Sequence, residues 1–436
     1  MAALISDSTH QRRVVVTGYG LLTCLGGNVS EAFEAARQGK SGVRTLTNFN
    51  ATGLPCDIAG EVDDDLIPAE PVFANRLDKF ATRAAALMCI ASRQAVDQAR
   101  LADVGARDRI GCMIGSHGAD PTVDHLLQVH RTAHEDGSPN VAAMLRDGGY
   151  DFLQFYRRKP DITTALIASQ FECLGPQLTI VSACAAGAQA IGESYRSIRR
   201  GDADLALCGG CEAALTYSGF IGFVLLKALC ERYKSPETAS RPFDRRRNGF
   251  IMSEGAAALV LEELEHAKGR GAAILGEVRG YGDSADAYRI TDVHPKAAGA
   301  ILAMRAALAD AGVAPEDVQY INAHGTSTKL NDAAETYGIR QVFGTAAERV
   351  PVSSNKSMLG HAIAAAGAIE AILTLVGIRQ SVILPTINYE NPDPKCSLPD
   401  YVPNAARQVE HDLAISNSFG FGGQNACLCL SGYRGN

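Results

Sequence analysis

The chain has 436 residues, 46% of them hydrophobic and 20% charged, which is enough apolar material for two or three domains or one large duplicated unit. Its formal net charge of −7 offers no overall attraction to nucleic acid or to an anionic membrane. The opening MAALISDSTHQRR is too polar for a secretory signal, and apolar runs such as AILTLVGI fall short of the ~20 residues that span a bilayer. The expectation is a cytoplasmic protein with no membrane insertion and no nucleic-acid partner.

In chain order, VVVTG at 14–18 predicts a short buried strand closed by glycine. Residues 75–99 predict one long helix. RIGCMIGS predicts a strand and a turn. LTIVSAC predicts a strand, and AAGAQAIGESYRSIRRG a helix stopped by Gly201. DLALCGGCEAAL reads as a strand and a glycine turn, and AAALVLEEL as a strand leaving the first half. The theme then returns. ILGEVRGYGD predicts a strand, AGAILAMRAALADAGV a helix stopped by Gly312, and VQYINAHGTST a strand and a loop. VPVSSNKSMLGHAIAAAGAIEAILTLVGI predicts strand, loop and small-residue helix. LAISNSFGFGGQNACLCL predicts a glycine-rich loop followed by a strand. The alternation implies an α/β fold with buried, largely parallel sheets. Two halves, 1–271 and 272–436, look like a diverged duplication.

The 12 cysteines are scattered through apolar segments and read as small core residues in a reducing compartment. Cys208-Gly-Gly-Cys211 has metal or redox spacing. No second such pair and no nearby histidine completes a set, so no metal site is expected.

TIVSACAAGAQAIGE places Cys184 at a strand–helix join. Free N–H groups and the helix dipole there favour a thiolate, and the Cys184 N–H can donate to an oxyanion beside the sulfur. The small residues at 185–188 let the helix bury deeply and let a thioester approach. A buried core thiol is the plain alternative. Two histidines weigh against it: His324, in NAHGTSTKLND, follows a strand, and His361, in NKSMLGHAIAAAG, starts a helix five residues after Lys356. Strand ends of α/β folds bind ligands. A thiol and two imidazoles at such ends form the constellation expected for thiol acyl transfer.

VSACAAGAQAIGE, RPFDRRRNGFIMSEGA, NAHGTSTKLND, NKSMLGHAIAAAG and NSFGFGGQN together resemble the elongating β-ketoacyl-acyl-carrier-protein synthases, from about Val14 to Leu430 and in the family's order. The resemblance implies a thiolase fold, with two duplicated halves in αβαβα layers. It implies a decarboxylative Claisen condensation of an acyl group with malonyl carrier, no bound cofactor, and substrates carried on the phosphopantetheine of an acyl carrier protein. A homodimer is implied; a heterodimer of this active subunit with a non-catalytic chain-length factor is the alternative.

By the same resemblance, Cys184 is the nucleophile, and His324 and His361 serve decarboxylation and hold the enolate. Lys356 supports them with Glu335 as its acidic partner; a purely structural ion pair is the alternative. Phe421 gates the acyl pocket and donates its N–H to an oxyanion, on a loop freed by Gly420, Gly422 and Gly423. Thr326 and Thr328 bind the pantetheine arm, unless they only form a turn. Gly118, Phe223 and Ile290 line the acyl pocket. Arg76, Lys227 and the cluster Arg157, Arg158 and Lys159 are carrier-docking candidates against a plain solvated-surface reading. The sequence departs from the family between about 119 and 160. Gly118 stands where relatives often carry a bulky aliphatic residue, which suggests a wider pocket and a specialised polyunsaturated, aryl or polyketide-type chain. A thiolase would need a second cysteine in the FGFGG loop, and an initiating synthase would have asparagine at 361.

Overall fold

The structure is a computed structural model that describes residues 12–147 and 151–435. Ten strands form its main sheet. In the first half these are β1 (Val14–Thr23), β2 (Ile110–Gly115), β3 (Gln177–Ile180), β4 (Leu205–Glu212) and β5 (Gly255–Glu263). In the second they are β6 (Gly276–Ala285), β7 (Tyr320–Asn322), β8 (Val352–Ser353), β9 (Leu413–Phe419) and β10 (Gln424–Ser431). The first five lie in the order β3-β2-β4-β5-β1 and the second five in the order β8-β7-β9-β10-β6. Each order is the other shifted by five, and the two sets join where Val14, Val15 and Val16 pair with Val278, Glu277 and Gly276.

The sheet is mixed rather than largely parallel. In each half the three strands at the outer edge run parallel, while the remaining pairs are antiparallel. A short connection explains one of these pairs: β9 returns as β10 through one glycine turn, which leaves room only for an antiparallel hairpin. The segment expected as loop then strand is therefore strand, turn, strand.

Helix α1 (Arg83–Ala99) begins later than expected. Residues Asn75–Phe80 form a separate 3-10 turn, because the Thr82 hydroxyl accepts the Ala85 N–H (3.2 Å) and starts a new helix. Helices α2 (Ala186–Arg200) and α3 (Ala298–Ala311) stop at Gly201 and Gly312, both left-handed. Helices α4 (Lys329–Phe343) and α5 (Ala366–Gln380) follow. Short helices Val123–Arg131, Val141–Arg146 and Phe152–Arg157 fill the divergent segment.

Helices α2 and α5 pack on each other and touch strands of both halves, so they form a central layer. Helix α1 covers the outer face of the first half-sheet, and α3 that of the second, which completes five layers. Strand alternation feeds these layers. On β5, Ala257, Leu259 and Leu261 face the central core while Ala256, Ala258 and Val260 face α1. One stretch, Ile363–Gln380, is long and apolar enough to cross a membrane, but 89% of it is buried inside the protein as core helix. Its partner helix approaches so closely that a Cβ on Gly187 would lie 2.7 Å from the Ala364 carbonyl oxygen. The small residues after Cys184 thus serve helix–helix contact first.

Candidate active site

Cys184 lies in the 3-10 turn Ala183–Ala185, two residues before α2. Ala183 adopts φ 47°, an unfavourable conformation for a side-chain-bearing residue, and bends the chain sharply off β3. Burial is the largest influence on the thiol and pushes its pKa up to about 11. The Phe421 N–H, the Lys356 ammonium and the Cys184 N–H oppose it without prevailing. Helix-end activation alone therefore does not yield a resting thiolate, contrary to the sequence expectation, because desolvation outweighs it.

His324 follows β7, and its loop is fastened by Glu335 on α4. The Glu335 carboxylate accepts the N–H groups of His324 and Gly325, both at 2.8 Å, and the Asn417 side-chain amide at 3.2 Å. His361 is held by its backbone, donating to the Ile251 carbonyl (2.7 Å) and accepting from the Ser253 N–H (3.0 Å). Its ring meets the edge of Phe250. It sits before the turn that leads into α5 rather than on a helix. The two imidazoles are 5.3 Å apart, and the Cys184 sulfur and one nitrogen of each ring all lie within 4.8 Å of one another. Burial, then the Lys356 charge, holds both imidazoles well below the usual histidine pKa, so they are neutral near pH 7. Nδ1 of His324 and both ring nitrogens of His361 are buried without a protein partner.

The expected Lys356–Glu335 pair is not formed. Lys356 Nζ donates to Glu370 on α5, both groups almost fully buried. Sequence reasoning missed Glu370, although a lone acid in the apolar run AIEAILTLVGI signals a buried partner. Asn417 and the strap at Ile251–Ser253 carried no comparable signal.

The glycine turn after β9 brings Phe421, half-buried, over the sulfur. A Cβ on Gly420 would sit 2.9 Å from the Ser182 carbonyl oxygen and 3.3 Å from the Cys184 nitrogen, so only glycine permits this approach. Gly422 and Gly423 adopt φ 84° and 78°. Thr326 and Thr328 share a hydroxyl contact at 3.0 Å, and Thr328 also caps α4. Both line a cleft of about 280 Å³ with Cys184, His324, His361, Phe223, Phe421 and Lys227.

Three expectations change. Ile290 is 80% exposed and does not line the Cys184 cleft; its carbonyl accepts the Gly422 N–H (2.6 Å), and its neighbours Thr291 to Val293 reach the cleft instead. Gly118 lines a second cavity but does not widen it, because a Cβ there would meet the Arg158 carbonyl oxygen at 2.7 Å rather than open space. Arg157, Arg158 and Lys159 do not make one basic face. Arg157, which donates to the Lys79 carbonyl, and Arg158 both line a second cavity, whereas the Lys159 ammonium sits over the Phe155 ring. Lys227 and Arg76 are exposed, Lys227 at the cleft mouth. Cys208 and Cys211 point to opposite faces of β4, into the central core and the α1 core respectively, so they cannot share a metal.

Profiles of the β-ketoacyl synthase N-terminal and C-terminal domains match residues 11–267 and 275–390. The chain belongs to the β-ketoacyl synthase family. It is 41% identical to the 3-oxoacyl-[acyl-carrier-protein] synthase 2 of Coxiella burnetii, over 97% of this chain and 99% of that protein. The Synechocystis enzyme of the same name is also 41% identical, over 98% and 99%. Among solved structures, this β-ketoacyl synthase resembles one from Burkholderia phymatum (TM-score 0.86, 33% identity, 97% and 100% covered). It also resembles the ishigamide ketosynthase/chain length factor (TM-score 0.84, 35% identity, 98% and 100% covered). A type II polyketide ketosynthase in complex with its acyl carrier protein gives TM-score 0.82 at 32% identity, over 98% and 100%. These neighbours carry the thiolase fold, so the layered arrangement of this synthase is that fold.

Proposed function

We propose that this chain is an elongating β-ketoacyl-acyl-carrier-protein synthase. The observation that carries the reading is one thiol and two neutral imidazoles within 4.8 Å, beside the Phe421 N–H. The Cys184 thiol passes its proton to a neutral imidazole while the sulfur attacks the acyl thioester of the carrier. The carbonyl oxygen becomes anionic and is held by the N–H groups of Cys184 and Phe421. Collapse breaks the bond to the phosphopantetheine sulfur, which takes the proton and leaves. Thr326, Thr328 and Lys227 stand where the arm and its carrier enter.

Malonyl carrier then binds with its thioester oxygen toward His324 and His361. Loss of CO₂ breaks the carbon–carbon bond and leaves the electron pair as an enolate, whose oxygen the two imidazole N–H groups hold. The enolate carbon attacks the acyl-Cys184 carbonyl. As the new bond forms the carbon–sulfur bond breaks, the Cys184 thiolate regains a proton from solvent, and the β-ketoacyl product departs on the carrier with two more carbons. Neutral imidazoles suit this role, because each keeps one N–H to donate. Burial, helped by the nearby Lys356 charge, keeps both from being protonated. No metal or bound cofactor enters these steps.

The outer edge strand β3 leaves Leu178 and Val181 about half exposed, a template for a second copy. We assign a homodimer along that edge; a chain-length factor on the same edge is the heterodimer alternative. Twelve free cysteines suit a reducing cytoplasmic setting. Intact-mass spectrometry of the purified chain with acyl carrier, then malonyl carrier, tests the reading. An adduct on Cys184 followed by a carrier product two carbons longer supports it. Folded protein that takes no acyl group from any carrier offered would sink the self-sufficient homodimer first.

A further inference from the structure

A second cavity, of about 670 Å³, adjoins the Cys184 cleft, and Phe223, Leu226 and Ile363 form a wall common to both. Its size falls within the roughly 300–1,000 Å³ of small-molecule pockets. An acyl group on Cys184 that runs along the common wall enters it. The lining is largely apolar, but several charged and polar side chains break it. His117 Nδ1 meets Glu212 at 2.7 Å, Asp120 stands beside this pair, and Gln154, Arg157 and Arg158 close the far side. Arg157 is already engaged by the Lys79 carbonyl. Arg158 has no side-chain partner among the described residues; its Nε is sealed from solvent, which leaves its terminal N–H groups to meet a ligand. The missing side chain of Gly118 lets the Arg158 backbone approach closely, so it admits this segment to the cavity wall rather than widening the pocket.

We infer that the acyl chain elongated here carries ketone or hydroxyl oxygens beyond its thioester, and that Arg158 and Asp120 select it. The inference rests on the synthase reading above. A saturated chain in this cavity displaces water from Arg158 and Asp120 and returns no hydrogen bond, which is a penalty for every such group. A ketone oxygen accepts from the Arg158 N–H, and a hydroxyl donates to Asp120. The His117–Glu212 pair is internally satisfied and contributes polarity without demanding a partner. Sites built to hydrogen-bond a substrate discriminate strongly against the analogue that lacks the group.

The test compares two thioesters on one acyl carrier: octanoyl, and the same chain with a ketone next to its terminal methyl. Rates of Cys184 acylation and of extension are read by intact mass. The expected preference for the ketone chain is about tenfold or more, and R158M should shrink it to about twofold or less. D120A, which removes the acceptor, provides a second variant, read with the corresponding alcohol as a third thioester; it should weaken preference for that alcohol, and an unchanged preference would remove Asp120 from the selection. Equal or faster extension of plain octanoyl, or an unchanged ratio in R158M, overturns the selectivity and leaves the synthase reading standing. If neither chain acylates Cys184 and malonyl carrier is not decarboxylated, the synthase reading falls and takes this inference with it.

Discussion

The Cys184 thiol works in surroundings that resist its ionisation, so its neighbours must take the proton as the bond forms. Decarboxylation asks nothing of the sulfur. C184A should therefore release CO₂ from malonyl carrier while forming no acyl adduct, which ¹⁴CO₂ release and intact mass would read separately. Loss of both activities would show that the imidazoles do not hold the enolate independently. Glu335 tests the loop beneath His324. Burial lifts its carboxyl from the usual 4.5 to about 7. A raised acid contributes stability that is full below about pH 4.5 and lost as pH rises through about 7. Glutamine cannot titrate, so between about pH 5 and about pH 8 E335Q should lose ~2 kcal/mol less stability than the parent. Urea titrations at the two pH values measure this. The imidazoles run the opposite way: depressed values give stability that is present above about pH 6.5 and lost on acidification.

At the element scale, four joins converge on the reacting atoms: β3 into α2, β7 into its loop, the turn before α5, and the β9–β10 turn. The last is set by close approach more than by flexibility. G420A places a methyl group against the Ser182 carbonyl and the Cys184 nitrogen, so the turn must move away and carry the Phe421 N–H with it. Removing one oxyanion donor costs on the order of 100-fold in kcat. The expected outcome is that loss in acylation rate with a melting temperature close to the parent's. An unchanged rate would mean that the Phe421 N–H does not face the developing charge.

The whole molecule sets what enters and what assembles. The central helices α2 and α5 carry the two half-sites to one point, so neither half holds a complete site. The open edge at β3 exposes Leu178 at 46% and Val181 at 53%. A charge there blocks edge pairing with little effect inside the protomer. L178K should shift the mass measured by light scattering from dimer to monomer. If it stays dimeric, the copies meet elsewhere.

Much of the molecule was determined by sequence alone where the requirement is local. Gly201 and Gly312 end their helices because a left-handed residue is needed there, and the order of strands and helices follows hydrophobic period and turn residues. The thiol at a strand–helix join, the two histidines at strand ends and the FGFGG turn are short motifs, and they carry the family. Tertiary structure alone decided whatever depends on residues far apart in the chain. Glu370 rather than Glu335 faces Lys356 because α5 packs over the turn that bears the lysine. Cys208 and Cys211 part company because β4 has a different core on each face. Ile290 lies outside while half-buried Arg158 lines a cavity, and the thiol stays protonated because burial, a property of the assembled layers, outweighs the helix end beside it.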